Sequence, residues 1–520
     1  MSIKRANAPA SITNYDAPMD SHAKLVAIAM ALFAAFGGFL YGYDTGYISG
    51  TKEMGYWLRL FGEQQSDGSY GLSTASDALV TSILSVGTFT GALLAYPFGD
   101  FLGRRWGVIA SCAIFSIGVA LQTASTTVPV FSVGRVFAGL GVGLISCLVP
   151  MYQSECAPKW IRGAIVSCYQ WAITIGLLVA AIVVQLTKDI DNPNSYRIPI
   201  GIQFVWAFIL SMGLYFLPES PKYLILKGRE QEAKVSLGRL LSLPPHSDFV
   251  QKEFEEVNES LQTERIHASS SYMDCFRSGP GKYRLRTLTG MSIQALQQLS
   301  GINFIFYFGT SFFRNSGINN AFLTTIITNV VNVLMTIPGI WLVDKAGRRS
   351  LLLIGAAVMC ICEFIVAIVG VKVDTSNIVG QRVLIAFVCI YIGAFAATWG
   401  PIAWVVTSEI YPLSIRAKAM NFAIGYSTPY LVDTGAGKAG LQSKVFFIWG
   451  AFCALCFLFT FFFIPETKGL SLEQVDQLYM NSSIIGSNAY RRKLLTGNVR
   501  HSSNDSRSVV EDALEEKIVK

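Results

Sequence analysis

Amide side chains are concentrated in one apolar segment of the sequence, residues 288–313. At the helical period, Gln294 and Gln298 lie on one face of this segment. Gln297 and Ser300 lie slightly further round the same turn. An amide offers both hydrogen-bond donors and acceptors, which suits a neutral ligand covered in hydroxyl groups. Because polar side chains in apolar helices usually face a cavity, the cluster predicts a site for an uncharged polyol rather than an ion.

Amides in helix bundles also have a purely structural use, which is to hydrogen-bond a neighbouring helix. This is the alternative for each amide of the segment. We favour the structural role for Asn329 and the binding role for the cluster in residues 288–313.

Asp44, Arg135 and Glu363 are charged residues that lie inside long apolar segments. A lone membrane carboxylate costs about 3 kcal/mol or more and tends to find a partner or take a proton. We expect Asp44 to pair with Arg135 and to be the main candidate for proton coupling, which the acid permits without proving. For Glu363 we favour a structural role. An imidazole relay is not expected, because all four histidines lie outside the apolar segments.

The composition places these residues in a membrane. Hydrophobic residues make up 52% of the chain and charged residues 14%, and the mean hydropathy is +0.44. A helix needs roughly 20 mostly apolar residues to cross the bilayer, since lipid cannot satisfy free backbone groups. Twelve segments fit, the eleventh of them weakly. They are residues 25–48, 79–98, 106–124, 130–150, 164–186, 198–217, 288–313, 322–343, 351–371, 383–406, 417–432 and 445–464.

Three charged motifs occur twice in the same order, which indicates two related six-helix halves. We expect their acidic and basic groups to pair between neighbouring helix ends as latches on one face of the membrane. Pairing across a seam on that face would favour the state open to the other face. The alternative is that the arginines are only topology signals. The latch residues are Asp100, Arg104, Arg105, Glu155, Arg162 and Glu219, repeated as Asp344, Arg348, Arg349, Glu409, Arg416 and Glu466.

The same pattern predicts five regions of the chain. Residues 1–24 form an N-terminal tail, 25–217 and 287–464 form two six-helix bundles, 218–286 form a helical linker, and 465–520 form a C-terminal tail. Most of the 41 Lys and Arg residues fall on the side of the tails and linker, which the positive-inside bias predicts to be cytoplasmic. The net charge of +7 therefore reports orientation, and nucleic acid is not an expected partner. The first helix is expected to stay attached, because no signal-peptide pattern precedes it.

The run Gln297-Gln298-Leu-Ser-Gly-Ile-Asn303 resembles the seventh-helix signature of sugar porters in the major facilitator superfamily. Among these porters, the chain most resembles fungal hexose transporters. The resemblance covers nearly the whole chain. Its other motifs are Gly42-Tyr43-Asp44-Thr45-Gly46, Arg135 with Gly139, Gly141 and Gly143, Pro218-Glu219-Ser-Pro-Lys222, Gly400-Pro401-Ile-Ala-Trp404, and Pro465-Glu466-Thr-Lys468-Gly469.

The resemblance implies an all-α membrane protein with the major facilitator fold, built from two six-helix bundles and a cytoplasmic helical linker. It implies transport of a monosaccharide, glucose or a related hexose, by alternating access, as a proton symporter or as a facilitator. We expect a monomeric functional unit in the lipid bilayer of the plasma membrane, without a cofactor. The implied site residues are Gln170, Gln297, Gln298, Asn303, Asn332, Trp404 and Asn421 for the sugar, Tyr307 for gating, and Asp44 with Arg135 for protons.

Two other functions are alternatives to transport. A sugar sensor, which binds the sugar but signals through its tail, is the alternative from another class. An enzyme has no support, because Gly435-Ala-Gly437-Lys438 lacks the first glycine and the final Ser or Thr of a phosphate loop. The glycines at 139, 141 and 143 do not form a dinucleotide fingerprint and are expected to permit close helix packing. No catalytic or metal site is expected.

The second half departs from the family pattern by being short. The interval from Glu409 to Pro465 is seven positions shorter than that from Glu155 to Pro218. The missing length falls in the eleventh segment, residues 417–432, which is too short to cross comfortably. Either a coding stretch was skipped in the gene model, which we favour, or a genuine deletion impairs transport.

Overall fold

The computed structural model describes residues 28–495 except 31, 65–67, 69, 157–161, 268–281, 316–317, 319, 374–376, 411–443, 471 and 485. The described part is almost entirely helical. Its one sheet is a two-stranded antiparallel hairpin of β1 (Glu63–Gln64) and β2 (Tyr70–Gly71). This agrees with the predicted all-α class.

Eleven helices are assigned within the described residues of the first half and the linker. In chain order they are α1 (Phe36–Thr51), α2 (Gly55–Phe61), α3 (Thr74–Leu102), α4 (Arg104–Ala124), α5 (Val128–Cys156), α6 (Arg162–Thr187), α7 (Asn194–Gly201), α8 (Gln203–Phe216), α9 (Pro221–Leu226), α10 (Glu230–Leu241) and α11 (Asp248–His267).

The second half and the C-terminal segment contribute nine more described helices. They are α12 (Tyr283–Leu299), α13 (Ile302–Asn315), α14 (Ala321–Ala346), α15 (Arg348–Lys372), α16 (Ile378–Ala397), α17 (Trp399–Ile410), α18 (Val445–Phe463), α19 (Leu472–Asn481) and α20 (Ser487–Leu495).

Ten helical stretches of the described chain are long and apolar enough to cross a membrane. They coincide with ten of the twelve predicted segments. The prediction of one seventh helix over residues 288–313 was wrong in detail, because the segment breaks between α12 and α13 at Ser300 and Gly301. Gly301 has φ +89°, a conformation that favours glycine. The eleventh segment, 417–432, and its predicted shortening lie outside the described residues.

The linker helices distinguish the two faces of the helix bundle. The hydroxyl of Tyr223 in α9 donates to the carbonyl of Phe101 in α3 (3.2 Å), so α9–α11 lie on the face where α3 ends and α4 begins. We call this the linker face. The opposite face, where α1 ends and the β1–β2 hairpin lies, is called the far face.

The buried apolar residues form three clusters, which correspond to the first half, the second half and the linker. Tyr307 and Trp404 come from the second half but belong to the cluster of the first. The halves meet where α1 packs on α13 and where α6 packs on α14 and α17. The interface between the halves therefore contains residues that the sequence analysis assigned to a site.

Glycines of α5 allow its neighbours to approach very closely. A Cβ atom at Gly139 would lie 2.2 Å from the carbonyl oxygen of Leu84, and one at Gly143 would lie 2.2 Å from that of Thr88, both in α3. At Gly141 a Cβ would lie 2.7 Å from Phe115 of α4. The predicted packing role of these glycines is thus confirmed.

Substituting Gly143→Ala is expected to destabilise the folded protein by about 2 kcal/mol, because the added methyl group must push α3 and α5 apart. The measurement is thermal unfolding of the purified protein in detergent. Gly201→Ala is the matched control, since a Cβ there meets nothing within 4 Å. Equal unfolding temperatures for the two variants would contradict the packing argument.

Candidate functional site

The amides of the seventh segment lie around the break in its helix. Gln297 Nε2 donates to the carbonyl oxygens of Trp399 (2.9 Å) and Gly400 (3.0 Å), at the start of α17. Gln298 Nε2 donates to Gln297 Oε1 (3.4 Å), and Asn303 Nδ2 donates to Gln298 Oε1. The three predicted amides therefore form one hydrogen-bonded chain. Its members can each exchange a partner for a ligand hydroxyl.

Two further predicted residues join the halves beside this chain. The indole Nε1 of Trp404 in α17 donates to Oε1 of Gln170 in α6 (3.1 Å). The ring of Tyr169 contacts the Trp404 ring edge to face, with centroids 5.6 Å apart. An aromatic face and an amide thus meet at the junction, which is the combination that a pyranose with its hydroxyls and apolar C–H surface would require.

Asn332 in α14 has an amide that is not used by the described part of the protein. Its side chain is 1% exposed, and neither Oδ1 nor Nδ2 has a hydrogen-bond partner among the described residues. A buried amide in that condition is costly unless another group satisfies it. The predicted sugar contact Asn421 lies outside the described residues.

The predicted gate, Tyr307, is buried in α13. Further along α13, towards the far face, the helix contacts α1 and Glu53, which follows the end of α1. Thr310 Oγ1 and Ser49 Oγ are hydrogen-bonded at 3.2 Å, and Arg314 Nη1 pairs with Glu53 Oε2 at 2.6 Å. These contacts join the two halves, so the far face is closed in this structure.

The predicted pair of Asp44 and Arg135 lies inside the first half. Both side chains are fully buried, and Arg135 Nη1 is 3.9 Å from Asp44 Oδ1. That distance is too long for a direct hydrogen bond. Neither carboxylate oxygen of Asp44 has a hydrogen-bond partner among the described residues. The arginine is near enough to interact with the carboxylate, yet it leaves both oxygens open to a proton.

A hydrogen bond to Tyr47 explains why Arg135 does not contact the Asp44 carboxylate directly. Arg135 Nη1 donates to the Tyr47 hydroxyl (3.1 Å), which in turn donates to Gln122 Oε1 (2.5 Å). Gln122 Nε2 is held by the carbonyl oxygen of Gly134 (3.3 Å). Neither Tyr47 nor Gln122 was predicted from the sequence as a member of this site. The available signal was that Tyr47 lies almost one helical turn after Asp44, and hence on the same face.

If the chain carries sugar together with protons, as the sequence permits, substituting Tyr47→Phe should shift the pH at half-maximal uptake downward by about one unit. Without the hydroxyl, Arg135 is free to approach Asp44, and a closer cation stabilises the carboxylate against protonation. The measurement is initial sugar uptake across a series of external pH values. Tyr196→Phe is the control, because that buried hydroxyl donates to the carbonyl of Ser125 instead (2.9 Å). An unshifted profile would argue against a positioning role for Tyr47.

The predicted latch of the first half is a compact network on the linker face. Arg104 makes a bidentate ion pair with Glu155, with Nε–Oε2 3.0 Å and Nη2–Oε1 3.1 Å. The backbone N–H groups of Arg104 and Arg105 both donate to Glu219 Oε1 at 3.0 Å, at the start of α4. Burial raises the pKa of the Glu219 carboxyl above its ordinary value, and these donors oppose that rise. Asp100 pairs instead with Lys227 of the linker at 3.7 Å.

The second half repeats this arrangement. Arg348 Nη2 pairs with Glu409 Oε1 (2.8 Å), and the backbone N–H groups of Arg348 and Arg349 donate to Glu466 Oε1 (3.0 Å) and Oε2 (3.1 Å). In both halves a glycine with φ near +90° precedes the first arginine. A Cβ there would lie 2.5 Å from the acid that caps the next helix, so the glycine is needed for this close approach.

Each described latch contact joins neighbouring elements of one half, and none of them crosses between the halves. The side chains of Arg162 and Asp344, and the whole of Arg416, lie outside the described residues. Pairing across the seam therefore stays a prediction. What the observed networks do is tie three helix ends together on the linker face of each half.

Comparison with known proteins gives a family match and close relatives. The family model described as "Sugar (and other) transporter" matches residues 30–479. The chain is 50% identical over 475 residues to the major facilitator-type transporter ecdD of Aspergillus rugulosus, covering 87% of each chain. It is 45% identical over 470 residues to the probable glucose transporter rco-3 of Neurospora crassa, covering 87% of this chain and 79% of that one. It is also 43% identical to the high glucose sensor RGT2 of Saccharomyces cerevisiae, over 90% of this chain but 63% of the sensor.

A similar solved structure is that of the major facilitator superfamily proton:xylose symporter XylE bound to 6-bromo-6-deoxy-D-glucose. It aligns with a TM-score of 0.75 at 28% identity and covers 88% of this chain and 99% of the symporter. The similarity extends over both halves of the chain.

Proposed function

The chain belongs to the sugar transporter family and has the major facilitator fold, and from this premise we propose that it carries a hexose such as glucose across a membrane by alternating access. The observation that carries the proposal is the position of the predicted sugar residues. The Gln170–Trp404 hydrogen bond joins the two halves, and Asn303 and the unpartnered amide of Asn332 lie on helices that pack against the first half. Gln297 and Gln298 lie on α12, and the amide chain connects them to Asn303 and to the start of α17. A ligand held there would contact both halves at once, which is what rocking of the halves requires.

The relatives support the choice of substrate. The Neurospora relative is described as a probable glucose transporter, and the solved neighbour holds a glucose derivative. Amides with free donor and acceptor atoms, beside the Trp404 ring, suit the hydroxyls and the C–H surface of a hexose.

We further propose that uptake is coupled to protons through Asp44. The support is its full burial, its two oxygens without a hydrogen-bond partner in the described chain, and Arg135 held at 3.9 Å. The solved neighbour is described as a proton symporter. The carboxylate would take a proton on one side of the membrane and release it on the other.

We propose that the protein acts as a monomer in the plasma membrane. The linker face is proposed to be the cytoplasmic face. The bias of Lys and Arg towards that face supports this orientation. The proposed regions are residues 25–217 and 287–464 as the two bundles, 218–286 as the linker, and 1–24 and 465–520 as the tails. In this orientation the structure corresponds to a state closed to the outside by the Glu53–Arg314 pair.

Uptake of radiolabelled glucose in a cell that lacks its own hexose transporters tests this function. We expect saturable uptake above the level of the empty host, and loss of accumulation when a proton uncoupler is added. Competition by unlabelled xylose, fructose and galactose then ranks the substrates. Accumulation that is indifferent to the uncoupler would contradict the coupling but not the transport.

Sensing without transport is the alternative, and the 43% identity with RGT2 is the observation that favours it. Sugar binding by the purified chain, combined with no uptake at verified surface expression, is the result that would establish the sensor function instead.

A further inference from the structure

Glu363 in α15 is a buried acid that the proposed transport cycle does not use. It is 1% exposed, and neither carboxyl oxygen has a hydrogen-bond partner among the described residues. None of the described Lys, Arg or His side chains pairs with it. Burying a charged carboxylate without a cation or a donor is strongly unfavourable, so the group must be neutral here or acquire donors in another state.

The carboxyl lies against the break in the seventh segment. A Cβ atom at Gly301 would be 2.9 Å from Glu363 Oε1 and 2.7 Å from Trp449 Cγ, so only a glycine backbone fits between them. Glu363 is therefore in contact with the junction between α12 and α13. Any rotation of α13 about that junction must pass beside this carboxyl.

The polar groups that face Glu363 are already engaged with the junction. The hydroxyl of Tyr391 in α16 donates to the Ser300 carbonyl oxygen at 2.8 Å, and Cys453 Sγ in α18 donates to the same oxygen at 3.7 Å. The remaining titratable neighbours are thiols, Cys456 from α18 and Cys360 and Cys362 on the acid's own helix. Tyr391 and Cys453 are thus donors that Glu363 and the Ser300 carbonyl can share.

We propose that Glu363 is a second proton-binding site, located in the second half, and that its bound proton holds the far face closed. The proton comes from water and forms one O–H bond to the carboxylate, which becomes a neutral carboxyl group. In that form Glu363 does not compete for the Tyr391 and Cys453 donors, and both continue to hydrogen-bond the Ser300 carbonyl oxygen.

Loss of the proton reverses this arrangement. The carboxylate then draws the Tyr391 and Cys453 donors towards itself and away from Ser300, which loosens the junction. Beyond the junction, α13 carries Thr310 and Arg314, which make the far-face contacts with the first half. Proton binding and far-face closure are therefore linked, and each favours the other.

The test measures the separation of the halves on the far face as a function of pH. Spin labels are attached through a ketone-bearing amino acid at Tyr70 and Val379, which are exposed on the far face in the first and second half, so that the native cysteines stay in place. The full chain is reconstituted in nanodiscs and compared with Glu363→Gln, a neutral mimic of the protonated acid. Infrared difference spectra over the same pH range record the carbonyl band of a protonated carboxylic acid.

In the parent chain we expect the inter-label distance to increase as the pH rises and a carboxylic-acid band assigned to Glu363 to disappear. In Glu363→Gln we expect a short distance at every pH and a spectrum that lacks this band, whether or not a band from Asp44 is present. The same pH response in both proteins, or identical carboxylic-acid bands in both, would overturn the proposal. If Glu363→Gln does not fold, Tyr391→Phe serves in its place. Removing the Tyr391 hydroxyl that holds the Ser300 carbonyl should open the far face even at acid pH. A far face that stays closed in Tyr391→Phe would also overturn the proposal.

This inference does not depend on proton-coupled uptake through Asp44. Repeating the distance measurement in Asp44→Asn separates the two sites, because the opening should persist there. If Asp44→Asn removes the pH response, the responsible proton is at Asp44 and the assignment to Glu363 is wrong.

Discussion

Substituting Asp44→Asn is expected to abolish sugar accumulation against a gradient, while equilibration of sugar across the membrane continues. Asparagine has nearly the same shape but cannot take a proton, so the sugar gradient loses its connection to the proton gradient. The buried position beside Arg135 leaves no other described carboxylate in contact with that arginine. The measurement is the ratio of internal to external labelled sugar at steady state, with and without an uncoupler.

Glu63→Gln is the matched control, since it removes an exposed carboxylate on the far face and should leave the accumulation ratio unchanged. Accumulation by Asp44→Asn at the parent's level would exclude coupling through this residue. Equilibration without accumulation in the parent itself would identify the protein as a facilitator.

The second large effect is expected at Gln298. Substituting Gln298→Ala removes the middle member of the amide chain and should raise the KM for hexose roughly 10- to 100-fold, as expected for one or two lost hydrogen bonds to the ligand. The kcat should change less, because the amide contributes to ground-state binding. The measurement is the concentration dependence of initial uptake, normalised to protein at the cell surface.

Asn329→Ala is the control for this substitution. The Asn329 amide donates to the Thr325 carbonyl one turn earlier in its own helix (2.9 Å), and the bond to a neighbouring helix that was predicted for it is not among the described contacts. If the two variants had the same KM, the binding role of Gln298 would have to be abandoned.

The long apolar segments were predictable because a span of a bilayer has to be helical and of known length. The paired charges were also predictable, because a motif that occurs at equivalent places in both halves is expected to occupy equivalent positions in the structure. The sequence did not disclose that Glu219 and Glu466 bind backbone N–H groups rather than arginine side chains. That distinction depends on where two helix ends come to rest.

The break at Gly301 was missed because hydrophobic periodicity continues through it. A glycine in an apolar run is compatible with a straight helix, and only the neighbouring Glu363 and Trp449 show why this one is not. Likewise, Gln122 and Tyr47 are distant in sequence and are joined only by the packing of three helices. Gln297 was predicted as a sugar contact, but its bonds to the backbone of α17 could not be anticipated from spacing.

The two latch networks also bear on how the polypeptide could be divided. Each of them closes within its own half and requires no covalent connection to the other. A gene cut between the codons for His267 and Lys282 would therefore yield two fragments that each retain a complete linker-face network. Co-expressed in one cell, such fragments should complement each other, with reassembly resting, in the described part of the chain, on the surfaces of α1, α6, α13, α14 and α17 and on the Glu53–Arg314 pair.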